Sequence, residues 1–235
     1  IRIATELVWL WISILFWQVM YGFMPAIAGW TKYEVYFLIG TAHIVHQAFE
    51  GLFFPNCHRI PEDIRLGNMD FYLTKPINSQ FMASTRYIDL GSLANVVLGF
   101  VIVIYAWMHL HIQFSFLHLL LFFILLLNGM MVYYTIMFTL MTLSFWIIRA
   151  EGLIGVYFNL TSLSRQPADI YRGILKFFLT FCFPMIITIN FPTQIMIRTL
   201  SFQYMIWGVF ITSVFVYGTH RFWNYGVNHY RSASS

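Results

Sequence analysis

The chain consists of long apolar stretches separated by short polar segments. An α-helix rises ~1.5 Å per residue, so about 20 apolar residues cross a hydrocarbon core of roughly 30 Å. The uncharged run at 90–148 is too long for one crossing, and the polar cluster at 109–115 predicts a turn within it. The pattern predicts six membrane spans, at residues 5–27, 34–55, 90–108, 116–148, 170–190 and 203–223.

A seventh span at 151–165 is the competing interpretation, although only 13 uncharged residues lie between Glu151 and Arg165. With six spans and both termini in the cytoplasm, eleven Lys and Arg residues face inward and two, Lys32 and Arg198, face outward. With seven spans, seven Lys and Arg residues face inward and six face outward. Because cytoplasmic loops carry an excess of basic residues, the charges favour six spans with a cytoplasmic N-terminus.

Composition agrees with an all-α membrane protein that forms one transmembrane domain over residues 1–235. The chain is 60% hydrophobic and 9% charged, whereas soluble domains are about 25% charged. A soluble globular fold is thereby excluded, and the lipid bilayer is the expected environment. The net charge of +4 is spread over several loops without a dense basic cluster, so we expect no nucleic-acid partner.

The most highly charged part of the chain is the predicted inner loop at 56–89. Its segment at 60–67 reads IPEDIRLG, with proline at the start, acidic residues in the first turn and glycine at the exit, which predicts a short helix. The segment at 68–76 mixes apolar and charged residues and closes with proline. Two interpretations remain open: a helix that docks on a cytoplasmic partner, or an interfacial helix that only satisfies its own backbone.

A family resemblance starts in this loop. The segment at 65–78, RLGNMDFYLTKPIN, resembles the signature R-x-G-x-(L/M)-D-x-x-L-x-(K/R)-P-(I/V)-N of type-2 ABC exporter permeases, in particular the bacterial viologen-exporter-like subfamily. Further along, the SFW motif at 144–146, the RQPADIY segment at 165–171 and two Phe-Pro pairs follow in the same order. The resemblance extends over essentially the whole chain.

The resemblance implies an ATP-driven exporter in the bacterial cytoplasmic membrane. Two six-helix permeases, either identical or sister subunits, would bind two copies of a cytoplasmic ABC ATPase, which holds the ATP and Mg; this chain itself would need no cofactor. Closure of the ATPase dimer would rock the permeases and alternate access to a central path. The residues expected to couple the two subunits are Pro61, Glu62, Asp63, Arg65, Gly67, Asp70, Lys75 and Pro76.

The absence of several sequence motifs favours an ATPase on a separate chain and argues against an enzyme. The phosphate-binding pattern G-x-x-x-x-G-K-(S/T) is absent. The His-Glu-x-x-His pattern of zinc proteases and the Gly-x-Ser-x-Gly elbow of serine hydrolases are absent as well. We therefore expect that the chain is no enzyme by itself. A non-ABC transporter or channel is the alternative function, although no ring of acidic residues indicates an ion filter.

The second predicted span carries His43, His46 and Glu50 on one helical face, because their spacings are three and four residues. Ionisable groups within a membrane span are candidate functional residues, here for a translocation path or a subunit interface. Local hydrogen bonding is the alternative. No fourth ligand is evident, so we expect no metal site.

In the fifth predicted span, Pro184 and Pro192 flank Asn190. Prolines free backbone carbonyls, which in a bilayer must be satisfied by protein or by water in a cavity. The pattern predicts a break near the outer mouth, and the resemblance implies that residues 190–202 form an outer re-entrant segment that acts as a gate. An ordinary kinked helix followed by a loop is the alternative.

Overall fold

The computed structural model describes residues 2–113, 115–147, 150–198 and 200–230, and the regular elements within these ranges are helices. The long helices are α1 (Arg2–Phe23), α2 (Lys32–Leu52), α7 (Leu90–Leu110), α8 (Phe116–Thr142), α9 (Glu151–Ser164), α11 (Met185–Ile197) and α12 (Phe202–His229). The short ones are α3 (Phe54–Cys57), α4 (Ile60–Arg65), α5 (Met69–Leu73), α6 (Ser79–Thr85) and α10 (Gly173–Phe177), which a π-helix at Phe178–Cys182 extends.

Within the described residues, four helical segments have the length and apolar composition of a membrane crossing. They are Ala4–Phe23, Leu90–Leu110, Phe116–Phe145 and Phe202–His229. The pair Gly173–Cys182 and Met185–Ile197 meets the same criteria together, but it is bent by 91° and counts as a fifth crossing only if it is one broken span. The chain is therefore an all-helical, multi-pass membrane protein.

Helix α2 lies at the centre of the bundle, and most of its residues are buried. Its 21 residues extend over roughly 31 Å. It packs closely on α7, where a Cβ atom added to Gly40 would lie 2.9 Å from the backbone oxygen of Gly99. Small residues at such a crossing allow two backbones to approach. Since neighbouring helices cover α2, it can carry polar residues that a lipid-facing helix could not.

The short helices α3 to α6 lie at one end of the bundle, which we call the loop end. There the Asp89 amide donates to the Gly51 carbonyl over 2.8 Å, which joins the end of α2 to the start of α7. The Trp223 indole donates to the Ser79 hydroxyl over 3.0 Å, so the last part of α12 is at the same end. The opposite end carries the turn at 24–31 between α1 and α2, and we call it the turn end.

The structure differs from the predicted fifth span at 170–190. Lys176 of α10 contacts Asp169 at 2.7 Å, and Arg198, which follows α11, lies 3.7 Å from the same carboxylate. The start of α10 and the end of α11 thus meet at the turn end, and the segment between them folds back at Pro184. The six-span charge count had put Lys176 and Arg198 on opposite sides, and this assignment needs correction because both contact Asp169.

Helix α9 occupies the position that the sequence pattern had left to a loop. Phe158 of α9 packs on Phe54 of α3, with ring centroids 5.8 Å apart, so the helix passes close to the loop end. Its 14 residues rise over about 21 Å, and the chain continues to Asp169 at the turn end. Residues 151–170 therefore connect the two ends of the bundle, although only part of this stretch is helical.

Candidate functional site

The loop at 60–74 folds into a helical hairpin of α4 and α5. Helix α4 begins at Ile60, as the sequence predicts, and Gly67 makes the turn to α5 with a φ of 78°. The Tyr72 hydroxyl donates to the Asp63 carboxylate over 2.8 Å. Burial and this hydrogen bond raise the pKa of Tyr72. Asp63, one of the predicted coupling residues, therefore holds the hairpin together.

The hairpin has a buried side and an exposed side. Ile60, Met69 and Tyr72 are buried, whereas Leu66 in the turn and Ile77, which follows the hairpin, expose 58% and 55% of their surface. Of the predicted coupling residues, four are exposed, namely Glu62, Arg65, Lys75 and Pro76, and four are partly buried, namely Pro61, Asp63, Gly67 and Asp70. The exposed side thus combines apolar and charged groups, which is typical of a docking surface.

Side-chain contacts fasten this loop to the two helices that flank it. The Asn56 amide donates to the Tyr87 carbonyl over 2.7 Å, and the Tyr87 amide donates to the Asn56 side-chain oxygen over 2.7 Å. The guanidinium groups of Arg59 and Arg86 lie over the Tyr87 ring, 4.5 and 5.0 Å from its centroid. Asp89 caps the first turn of α7. These contacts join the two ends of the loop to each other beside the end of α2 and the start of α7.

A polar cavity of about 190 Å³ lies between α1, α2 and the end of α9. Its lining residues are Glu6, Trp9, Leu10, Ser13, Trp17, Ile39, Ala42, His43, His46, Ser162, Arg165 and Gln166. Ala42 is the middle residue of α2, so the cavity lies at mid-depth of the bundle. The sequence had singled out His43 and His46 alone among these residues.

Of the three ionisable residues of α2, only two line the cavity. His43 and His46 line the cavity, whereas Glu50 does not. Glu50 is buried, and its carboxylate lies 3.7 Å from the His46 ring nitrogen. No group of three His, Cys, Asp or Glu side chains in the described part of the chain is arranged to hold a metal ion.

The sequence analysis did not identify two parts of the cavity lining, namely one face of α1 and Arg165. Glu6, Trp9, Ser13 and Trp17 recur every three to four residues, so they share one face of α1. That spacing is a signal from which this face could have been identified, and Glu6 accepts a 2.8 Å hydrogen bond from Gln47. Arg165 had been placed in a cytoplasmic loop, because the six-span pattern assigned no helix to α9.

At the turn end, charged side chains join three segments that are distant in sequence. Asp169 accepts hydrogen bonds from the Trp30 indole over 2.9 Å and from Lys176 over 2.7 Å. Arg198 lies 3.2 Å from the Glu34 carboxylate, and its guanidinium stacks over the Trp30 ring.

The residues predicted for an outer gate lie in or next to α11. Pro184 stands at the 91° bend, and Pro192 lies within the helix. Asn190 is fully buried and binds the irregular backbone that follows α9. Its side-chain oxygen accepts from the Ala168 amide over 2.7 Å, and its amide donates to the carbonyls of Ser164 and Gln166 over 3.2 and 3.1 Å. Asn190 thus satisfies backbone groups that water does not reach.

Comparison with protein families gives one clear result. A family model described as ABC-2 family transporter protein matches residues 7–234, which is nearly the whole chain. Comparisons with curated proteins and with solved structures give no significant match. The match confirms the resemblance to type-2 ABC permeases that starts at the 65–78 motif. The chain therefore belongs to the ABC-2 transporter family, whose members are the permease components of ABC transporters.

Proposed function

We propose that the chain is the permease subunit of an ATP-driven exporter and that its ATPase is a separate polypeptide. The observation that carries the proposal is the hairpin of α4 and α5. Leu66 and charged side chains of the hairpin are exposed, as is Ile77 just after it, while Asn56 and Tyr87 join the two ends of the loop at the bundle. Such a surface suits a partner that pushes or pulls on the bundle.

The proposed topology has six crossings with the loop end in the cytoplasm. The crossings are α1, α2, α7, α8, residues 151–170 and α12. The hydrogen bond from Trp223 to Ser79 supports a cytoplasmic C-terminal end, because the 54–89 loop lies beside it. The meeting of Lys176 and Arg198 at Asp169 supports an additional hairpin, formed by α10 and α11, that enters and leaves the membrane from outside.

In this mechanism, two ATPase subunits bind ATP and Mg and close on each other. Each one moves the hairpin of the permease above it, and the Asn56 and Tyr87 contacts pass the movement to α2 and α7. Two permeases, identical or sister subunits, then alternate access to a path that includes His43 and His46. Export and a bacterial cytoplasmic membrane follow from the resemblance to viologen-exporter-like permeases.

Affinity purification from the native membrane in mild detergent, with mass spectrometry and an ATPase assay, tests the proposal. We expect a stoichiometric ATP-binding subunit to co-purify. Replacement of residues 61–76 by a Gly/Ser segment of equal length should abolish the association, while substitution of the exposed Ser213 by Ala should preserve it. A chain that purifies without an ATPase in conditions that preserve other ABC complexes would favour the alternative of a non-ABC transporter or channel.

A further inference from the structure

We propose that the cavity between α1, α2 and the end of α9 binds a small amphiphilic anion, in which a carboxylate or phosphate stands beside a flat apolar group. This inference rests on the proposed function, because a site at mid-depth serves transport only in a permease. The observation that carries it is the position of an arginine and two tryptophans around one polar cavity beside the middle of α2.

Arg165 is the central feature of the site. It is exposed, lines the cavity and lies in the non-helical stretch directly after α9. It forms no ion pair with any carboxylate that the structure describes. A charged group at membrane depth is costly unless it faces water, a counter-ion or a ligand, and such groups mark substrate and ion pathways. The planar guanidinium suits bidentate binding of a carboxylate or a phosphate.

The carboxylate of Glu6 also lines the cavity, but in the described residues it forms no ion pair with this arginine. Its oxygen accepts the 2.8 Å hydrogen bond from Gln47, which is fully buried. Glu6 is therefore engaged with α2, while the Arg165 guanidinium lies beside the Tyr133 hydroxyl and lines the cavity. An anion satisfies the guanidinium in this cavity, whereas a cation would face Arg165, His43 and His46.

The apolar residues that line the cavity indicate a ligand with a flat apolar group. Trp9 and Trp17 stand on the cavity-facing side of α1, with Leu10 between them, and Ile39 faces them from α2. The volume of about 190 Å³ is below the roughly 300–1,000 Å³ of pockets for drug-sized ligands. The cavity therefore takes a single ring with an anionic group, or the corresponding end of a larger amphiphile such as a phospholipid.

Photolabelling of the intact chain in nanodiscs of phosphatidylcholine tests the site with 4-azidobenzoate and its neutral analogue 4-azidobenzamide. We expect the acid to label peptides from residues 4–52 and 151–172 in preference to the amide. Arg165→Gln should lower labelling by the acid about tenfold, since a charge-assisted hydrogen-bond pair is lost. The matched control is Arg172→Gln, an exposed arginine of the same segment that does not line the cavity.

A second pair of variants tests the apolar wall. Trp9 and Trp11 are 63% and 62% exposed, but Trp9 alone of the two lines the cavity. Trp9→Ala should reduce labelling and Trp11→Ala should not. If Arg165→Gln fails to fold, Arg165→Lys keeps the charge and should keep the preference for the acid. Equal labelling by acid and amide in the unmodified chain, or unchanged labelling in Arg165→Gln, would overturn the proposal.

The lipid composition distinguishes the two sources of the anion. Replacement of phosphatidylcholine by phosphatidylglycerol should suppress labelling if the natural ligand is a phospholipid headgroup, and should leave it unchanged if the ligand is a free acid; both results retain the anion site. Labelling needs no ATPase, so its failure is separate from a failure of co-purification, which tests the proposed function.

Discussion

Gly129 of α8 lies directly against the backbone carbonyl of Thr188 in α11. A Cβ atom added to Gly129 would collide with the oxygen and carbon of this carbonyl. Thr188 precedes Pro192 by four residues, and proline has no N–H to complete the helical hydrogen bond to that position. The carbonyl that Pro192 leaves free is thus covered by the close approach of α8, where the Cα–H of glycine is a weak donor. The contact joins the returning arm of the hairpin to the bundle.

The first prediction concerns this contact. Gly129→Ala should destabilise the chain by about 1–3 kcal/mol, because the added methyl group meets backbone and a helix must shift. Gly22→Ala is the matched control, since a Cβ atom at Gly22 would have nothing within 4 Å, and alanine favours the helix there. Thermal unfolding in detergent measures both variants. Equal midpoints for Gly129→Ala and the unmodified chain would contradict the packing described.

The second prediction concerns Asn190. Asn190→Leu removes three hydrogen bonds to the backbone after α9 and leaves these buried groups unsatisfied, at ~1–3 kcal/mol for each group. We expect a strong loss of folded, monodisperse protein. Asn159→Leu changes an exposed asparagine on α9 and should alter stability by no more than ~0.5 kcal/mol. Size-exclusion profiles and unfolding midpoints decide the comparison, and similar behaviour of the two variants would refute the role of Asn190.

The third prediction concerns the charged cluster at the turn end. Asp169→Asn removes the charge that attracts Lys176 and Arg198, so the hairpin of α10 and α11 should open more readily. Because the Asp169 side chain is 34% exposed, the loss should be modest, about 1 kcal/mol. Hydrogen exchange of peptides from 173–197 should increase, whereas Lys32→Gln, at the same end, should leave it unchanged. Unaltered exchange in Asp169→Asn would show that these ion pairs do not hold the hairpin.

The fourth prediction concerns coupling. Arg65→Glu reverses an exposed charge on the hairpin, and Asp70→Lys reverses a partly buried one. Both should lower substrate-stimulated ATP hydrolysis of the assembled transporter severalfold, because complementary charges orient two docked surfaces. Membrane insertion should be preserved. Arg221→Glu, an exposed arginine near the loop end of α12, is the matched control, and full stimulated turnover in both loop variants would exclude the assigned role.

Several elements were predictable because their signals are local. The predicted span at 90–108 corresponds to α7 at Leu90–Leu110, since a charge-free apolar run begins directly after its capping Asp89. The predicted start of α4 also agrees with the structure, because Pro61 and the acidic residues after it act within one helical turn. The face that joins His43 and His46 followed from helical spacing alone.

The course of residues 151–197 was not predictable in this way. The positive-inside rule assumes that basic residues lie in loops outside the membrane. Arg165 lines a cavity at mid-depth, so it does not follow that assumption. Lys176 pairs with Asp169 at the same end as Arg198, although the charge count had placed these two basic residues on opposite sides. The non-helical backbone after α9 is tolerated because the side chain of Asn190 forms hydrogen bonds with it. No local pattern reveals that relationship.

The sequence by itself determined that this is an all-helical membrane protein of the ABC-2 family, where the long helices α7, α8 and α12 begin, and that a charged loop with a short helix follows α2. These features depend on apolar runs, caps and motifs within a few residues. Only the tertiary structure decided that α10 and α11 fold back, that Arg165 faces Trp9 and Trp17, and that Trp30 bonds to Asp169. The last two relationships join residues more than 100 positions apart, and the energies of all three depend on which side chains the packed helices bring together.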